Sequence, residues 1–309
     1  SLSPSPPFQN MNTATLKTNN LWAYLQLMRP ANIITAWADI LAGIAVSGFA
    51  VSDNPVPAVW LLLATTGLYG GGVVFNDVFD ADLDAKERPE RPIPSGRTSL
   101  LGATFLGSVL LIIGVLAAAQ VSWLSFSIAC GVAAAALLYD AYAKHHRFFG
   151  PLNMGVCRGG NLLLGVSILS PMVRESWYLA LIPIVYIAAI TAISQGEVHG
   201  GKRSTGIVAL VLMGAVIAGL LGLGWLNKSY FFAVFPFVFI LSWRVLVPFV
   251  RAASQPNAEN IRIAVRSGVL SLIVLDATLS CSFAGLAYGF PVLFLLPLSM
   301  MLAKLFAVT

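Results

Sequence analysis

Four aspartates and an asparagine crowd into nine residues of this chain, Asn76-Asp77-Val78-Phe79-Asp80-Ala81-Asp82-Leu83-Asp84. Continued as one helix, Asn76, Asp80 and Asp84 recur every fourth residue and line one face, with Asp77 flanking it. Hard oxygen donors in such a row suit Mg2+, which takes one or two carboxylates, keeps water and accepts substrate phosphates as further ligands. The next segment, Arg88-Pro89-Glu90-Arg91-Pro92-Ile93-Pro94-Ser95-Gly96-Arg97, brings three arginines into one short, proline-broken loop. Carboxylates for a metal beside guanidinium groups for phosphate are the parts that hold a diphosphate. A solvated acidic turn is the plainer alternative, but it gives no reason for an amide and carboxylates at helical spacing.

Further polar residues gather at the ends of apolar runs. Tyr139 and Lys144 close the fourth run, and Asn153, Arg158 and Asn161 stand in the fifth. A charged arginine inside a membrane helix is costly, which makes Arg158 a functional candidate. With Asn153 and Asn161 it could read a polar acceptor or the diphosphate, or tie the bundle by interhelical hydrogen bonds. The loop after the sixth run, Ser194-Gln195-Gly196-Glu197-Val198-His199-Gly200-Gly201-Lys202-Arg203, offers one carboxylate, one imidazole and two cations.

The elements that must position these groups are membrane helices. Of 309 residues, 58% are hydrophobic and only 10% charged, against roughly 25% charged in a soluble domain. So few charges cannot cover a water-facing surface, and lipid is the expected partner of most of the chain. The net charge of +5 sits in short loops between apolar runs, a membrane-orientation pattern, and no nucleic-acid partner is expected. Cys130, Cys157 and Cys281 are too scattered for a disulfide framework or a CxxC metal site. Residues 1–18 read as a disordered tail, Met11 as a native start, and 19–309 as one transmembrane domain.

Runs of about 20 residues, the length a hydrocarbon core needs, fall near 31–50, 58–76, 100–119, 121–142, 151–170, 177–195, 206–226, 229–250 and 267–290. A shorter one, 291–307, is either a further span or a bent continuation. The expected fold is all-α: a polytopic membrane helical bundle of about nine transmembrane helices, ten if the last run crosses. Leu21, Trp22, Leu25 and Met28 recur at helical spacing ahead of the first span and predict an interfacial amphipathic helix. Lysine and arginine concentrate in the loops after even-numbered spans, which the positive-inside rule assigns to the cytoplasm. A bacterial inner membrane is the expected location.

The Asn76 to Asp84 row followed by Arg91-Pro92-Ile93-Pro94-Ser95-Gly96 resembles the first aspartate motif of the UbiA prenyltransferase superfamily. Arg29-Pro30-x-Asn32 resembles that family's opening, and Tyr139 to Lys144 its Tyr…Lys segment, with Tyr142 an alternative to Tyr139. The resemblance implies a helical bundle around a central cavity that is polar at its cytoplasmic end and open sideways to lipid. It also implies Mg2+ as cofactor, a prenyl diphosphate as donor substrate and a small acceptor of unknown identity. The family's second motif is a pair of aspartates after span six. Here Glu197 stands for one, with Gln195 or His199 in the other's place. The Gly-Glu-Val-His-Gly-Gly string resembles instead the divergent EboC-like branch, associated with export of secondary-metabolite precursors.

Residues and resemblance together give Asp77, Asp80, Asp84, Tyr139, Lys144 and Glu197 as candidate catalytic groups. Asn76, Asp80, Asp84 and Glu197 are the candidate metal ligands. Expected substrate contacts are Asn32, Arg88, Arg91, Arg97, Asn153, Arg158, Asn161, His199, Lys202 and Arg203. The expected activity is intramembrane prenyl transfer. The alternative is a non-catalytic carrier or transporter of a lipid-linked or secondary-metabolite precursor.

Overall fold

Hydrocarbon offers no partner to backbone N–H and C=O groups, and a helix satisfies them internally. The apolar runs accordingly become helices in the computed structural model, which describes residues 13–197 and 200–306. These are α1 (Thr13–Met28), α2 (Pro30–Ser47), α3 (Val56–Phe79), α4 (Ala81–Glu87), α5 (Leu100–Ala119), α6 (Trp123–Ala141) and α7 (Phe149–Val166). The chain continues through α8 (Ser170–Ser176), α9 (Leu181–Ser194), α10 (Arg203–Leu226), α11 (Phe231–Ser254), α12 (Ala258–Ala284), α13 (Leu286–Leu293) and α14 (Leu295–Leu305). Among the described residues there is no strand. Side-chain caps start several helices: Ser99 accepts from the Gly102 amide, Ser122 from Ser125 and Asn257 from Asn260, each occupying a donor the first turn leaves unpaired.

Nine stretches among the described residues are long and apolar enough to cross a bilayer, with α8–α9 and α13–α14 each acting as one. The fifth expected run, α7, is not among them, because Asn153, Arg158 and Asn161 make it polar. It nevertheless runs the length of α6. Ser167 at its end meets Ser125 at the start of α6, hydroxyl to hydroxyl at 2.8 Å, and Gly150 at its start packs on the Ala143 carbonyl just past the end of α6. The last run is a separate return span. Gly285, at φ 76°, ends α12, and α14 comes back far enough for Ser299 to donate to the Ala31 carbonyl at 2.8 Å. The Phe306 ring then stacks on Trp22 with centroids 4.3 Å apart.

Two boundaries differ from expectation. The tail assigned to 1–18 is helical from Thr13; residues 1–12 lie outside the described part. The ninth span begins at Ala258 rather than 267, because Arg262 and Arg266 lie on a helix that continues past the apolar run.

The bundle centres on α2 and α12, the most enclosed of the apolar spans. Close approach at α2 is a backbone matter. Gly43 faces the Leu162 carbonyl of α7 and Gly165 faces the Ile40 carbonyl of α2, so a Cβ on either would collide with main chain. Small residues let membrane helices touch and gain packing, the main attraction available where lipid removes the hydrophobic drive.

Candidate functional site

Five helices each turn one face toward a cavity of about 640 Å3. On α3 that face is Thr65, Leu68, Tyr69, Gly72, Val73 and Asn76, a 3–1–3–1–3 spacing that follows the helical period. Val132, Ala136, Tyr139 and Asp140 of α6, Met154, Cys157, Arg158 and Asn161 of α7, and Ile187, Ile190 and Thr191 of α9 complete three walls. Residues Arg262 to Leu272 of α12 close the fifth. The cavity is polar at both ends and apolar between them.

The mouth is built on the acidic row. α3 does not run on unbroken: Asp80 sits between α3 and α4 with φ −92° and ψ 3°, although the Asp80 and Asp84 amides still bond the carbonyls four residues back. Asn76, Asp80 and Asp84 therefore stay on one side and all line the cavity, as the spacing predicts, across a kink that it does not. Asp77 is turned away. It accepts from Arg29 at 2.6 Å and Arg91 at 3.2 Å and lines a second cavity of about 530 Å3 instead. It holds two arginines and stands apart from the row.

Arg29 is the one described non-glycine residue with positive φ, 48°. Pro30 disfavours a helical residue before it, so α1 ends there and the left-handed turn carries the guanidinium back to Asp77.

Each acid of the row commits one oxygen to a cation. Lys144 Nζ donates to Asp80 Oδ1 at 2.6 Å, and Arg91 donates to Asp84 Oδ2 at 2.7 Å. Asn76 donates from Nδ2 to Asp140 Oδ1 at 2.9 Å, which leaves its carbonyl oxygen over. Burial raises the Asp84 carboxyl above the usual range, against the pull of Arg91. Glu197 lines both cavities; burial raises it too, opposed by Arg88 first and then Arg262, Arg29 and Arg91. Arg88 and Arg262 also border both cavities, and neither forms an ion pair among the described residues.

This donor set fits Mg2+ of one particular kind. Among the described residues no three acidic, histidine or cysteine side chains converge to hold a metal alone. Oxygens left over on Asn76, Asp80 and Asp84 can serve an ion that arrives with phosphate oxygens and water completing its shell.

Other expected contacts divide. Asn32 and Arg91 line the first cavity, and Tyr139 does so while Tyr142 is exposed. Arg97 lines only the second, held by Gln26 at 2.7 Å and the Glu90 carbonyl at 2.7 Å. Asn153 borders neither cavity, since its α7 neighbour Met154 takes the inward position. Lys202 and Arg203 are exposed at the start of α10, away from both. His199 lies outside the described residues.

The inner end is a hydrogen-bonded floor. Arg158, 4% exposed, donates to Asp39 at 2.7 Å and to Thr35 at 2.6 Å, with its guanidinium 4.7 Å from the Tyr69 ring centre. Asn161 donates to Asp39 at 2.9 Å and accepts from Thr65 at 2.7 Å. Asp39 and Asp276 are fully buried, and no donor among the described residues reaches either Asp276 oxygen. Asp39 and Asn161 sit one turn from Gly43 and Gly165, so ion pair and backbone contact share the same helix faces.

Sequence reasoning missed Asp39, Thr65, Tyr69, Asp140, Arg266 and Asp276. The available signal was an acid inside an apolar run: Asp39 and Asp276 each stand in one, and Asp39 is the partner of Arg158.

A model of the UbiA prenyltransferase family matches residues 36–265. The chain belongs to that family. The digeranylgeranylglyceryl phosphate synthase of Methanothrix thermoacetophila is 35% identical over 48% of this chain and 55% of that one. A second, from Methanococcoides burtonii, is 33% identical over 47% and 54%. The chain thus spans about half the length of these curated relatives. A UbiA homologue from Archaeoglobus fulgidus, solved with DMAPP and Mg2+, superposes with a TM-score of 0.56 at 16% identity, covering 88% of this chain and 99% of the other. The UbiA bundle expected from the motif is therefore the fold of this chain.

Proposed function

We propose that this protein is an intramembrane prenyltransferase, which takes an isoprenoid from a Mg2+-bound prenyl diphosphate and joins it to a small acceptor. The observation that carries the reading is a row of half-committed oxygen donors, facing guanidinium groups without an acid partner, at the mouth of a mainly apolar-walled cavity inside a membrane bundle. Family membership supports it, as do the relatives named digeranylgeranylglyceryl phosphate synthases and the Archaeoglobus homologue bound to DMAPP and Mg2+.

Asn76, Asp80 and Asp84 would hold the metal, with Glu197 across the mouth as a further carboxylate. When bound, Mg2+ neutralises charge on the diphosphate and makes it a better leaving group. Lys144, Arg88, Arg91 and Arg262 supply fixed positive charge to the same oxygens, needing no reorganisation as the allylic C–O bond breaks. The bonding pair leaves with the diphosphate. Tyr139, at the junction of polar mouth and apolar wall, presents its ring to the allylic carbon, where an aromatic face attracts developing positive charge. The acceptor's nucleophile forms the new bond to that carbon and loses its proton toward the mouth. The second cavity shares Arg29, Arg88, Arg91 and Glu197 with the first and gives the acceptor its approach.

By the positive-inside rule this mouth faces the cytoplasm. The relatives named above are archaeal, and a bacterial membrane gains no support from them. Nor does an EboC-like assignment, which rests on the Gly196 to Gly201 string alone.

The carrier reading keeps one observation in its favour: Glu197 is a single carboxylate where the family has a pair. Purified protein incubated with Mg2+, radiolabelled prenyl diphosphates and a cell extract supplying acceptor separates the two. Released diphosphate with a prenylated product supports transfer; tight Mg2+-dependent binding with no turnover in any extract would leave only the carrier.

A further inference from the structure

The cavity runs from an anion-binding mouth through apolar walls to a floor that is itself polar. Asn76 and Thr65 stand at its two ends on α3. Eleven residues of helix separate them, or about 16 Å at 1.5 Å per residue. Between these levels the lining is mainly hydrocarbon, with Leu68 and Val73 on one side and Ile187, Ile190 and Val269 on others, broken by Tyr69, Cys157 and Thr191.

An isoprenoid anchored by its diphosphate at the mouth must lay its tail along these walls. At the floor it meets the Thr65–Asn161 hydrogen bond and the Arg158 guanidinium. Hydrocarbon cannot partner those groups, and covering them removes whatever else could.

Nor can the floor retreat. Arg158 is tied to Asp39 and Thr35, both at 0% exposure. One turn deeper, α2 and α7 touch main chain to main chain at Gly43 and Gly165.

We infer that Thr65, Asn161 and Arg158 form a polar stop that sets how much isoprenoid chain the cavity receives. This rests on the diphosphate reading above. An isoprene unit advances four C–C bonds of about 1.5 Å in a zigzag, close to 5 Å, so the stop falls after about three units. A fourth unit must fold back or leave sideways, and gains no contact.

Dissociation constants for allylic diphosphates of one, two, three and four isoprene units, with Mg2+ and the full chain in detergent, test this. Affinity should rise by at least about fivefold with each unit through the third, as apolar surface is buried. The fourth should change it by less than about twofold. The double variant T65V/N161L keeps the number and branching of side-chain heavy atoms and removes polarity. It should raise the affinity for the four-unit ligand about tenfold relative to the one-unit ligand on the same protein. If the double variant does not fold, Thr65→Val alone should move that ratio by about threefold.

A fourth unit that tightens wild-type binding as much as the third would overturn the stop. So would a ratio that the variants leave unmoved. If the one-unit ligand shows no Mg2+-dependent binding at all, the diphosphate reading falls and takes the stop with it. Normal one-unit binding without a plateau removes the stop alone.

Discussion

The two polar ends of the cavity contain the same kinds of side chain and solve opposite problems. At the mouth, carboxylates and cations come from short segments close in sequence: Asp80, Asp84, Arg88 and Arg91 lie within twelve residues. Asp80, Arg88 and Arg91 are partly exposed, each acid has oxygen left over, and Arg88 and Arg262 are unpaired among the described residues. At the floor, Asp39, Arg158 and Asn161 come from α2 and α7, more than a hundred residues apart, and the Arg158 charge is met by Asp39 inside the protein, while Asp276 finds no donor among the described residues. A mouth left short of partners can bind; a floor that supplies its own partners can only hold shape. A cation locked to an acid with almost no exposure, as Arg158 is to Asp39, serves architecture; cations left without an acid at a cavity mouth serve binding.

The largest effect expected from this contrast is at the floor. Asp39→Ala strands the Arg158 guanidinium in a site with almost no exposure. Breaking a buried pair from one side costs about 3–5 kcal/mol, so the variant should lose most folded protein by size-exclusion chromatography and thermal denaturation in detergent. If it folds with an unchanged Tm, the floor is not the lock described here.

At the mouth the same chemistry predicts the reverse. Asp80→Ala or Asp84→Ala should leave the Tm within a few degrees, since the freed Lys144 or Arg91 can reach water. Mg2+-dependent diphosphate binding should weaken at least about 100-fold, equivalent to about 2.7 kcal/mol. Arg91→Ala should cost less, about tenfold, because Arg88, Arg262 and Lys144 share the anion; equilibrium binding of inorganic diphosphate with Mg2+ measures it. The smallest effect is expected outside both ends. Lys202→Ala and Arg203→Ala should alter the same binding by less than about twofold, and a tenfold loss would place the start of α10 back in the site.

This contrast also explains what could be read without a structure. The mouth was legible because its residues are near neighbours on one strip of chain, so spacing alone puts Asn76, Asp80 and Asp84 together. The membrane bundle was legible for a similarly local reason, the length and apolarity of its runs. Even there, the kink at Asp80 and the turning of Asp77 onto Arg29 depend on contacts from α1 and the arginine loop, which spacing does not contain.

The floor is non-local. Arg158 was identifiable as an expensive residue, but not which acid would neutralise it. Its partner was hidden in a run whose apolar neighbours define a span. Lys202 and Arg203 show the converse error: cations beside a motif look like phosphate ligands until the direction of α10 carries them away. Arg262 was read as an orientation charge and Arg266 was missed, because only the fold brings α12 across from α3.

The most direct test of the account is the dissociation constant of a one-unit prenyl diphosphate, measured by titration calorimetry on wild type and Asp84→Ala, each with Mg2+ and with a chelator. Tight binding should appear for wild type with Mg2+ alone, and removing either the metal or the carboxylate should weaken it by at least about 100-fold, with no further loss when both are removed. Equal affinity in all four titrations would show that the acidic row does not hold a metal-bound diphosphate.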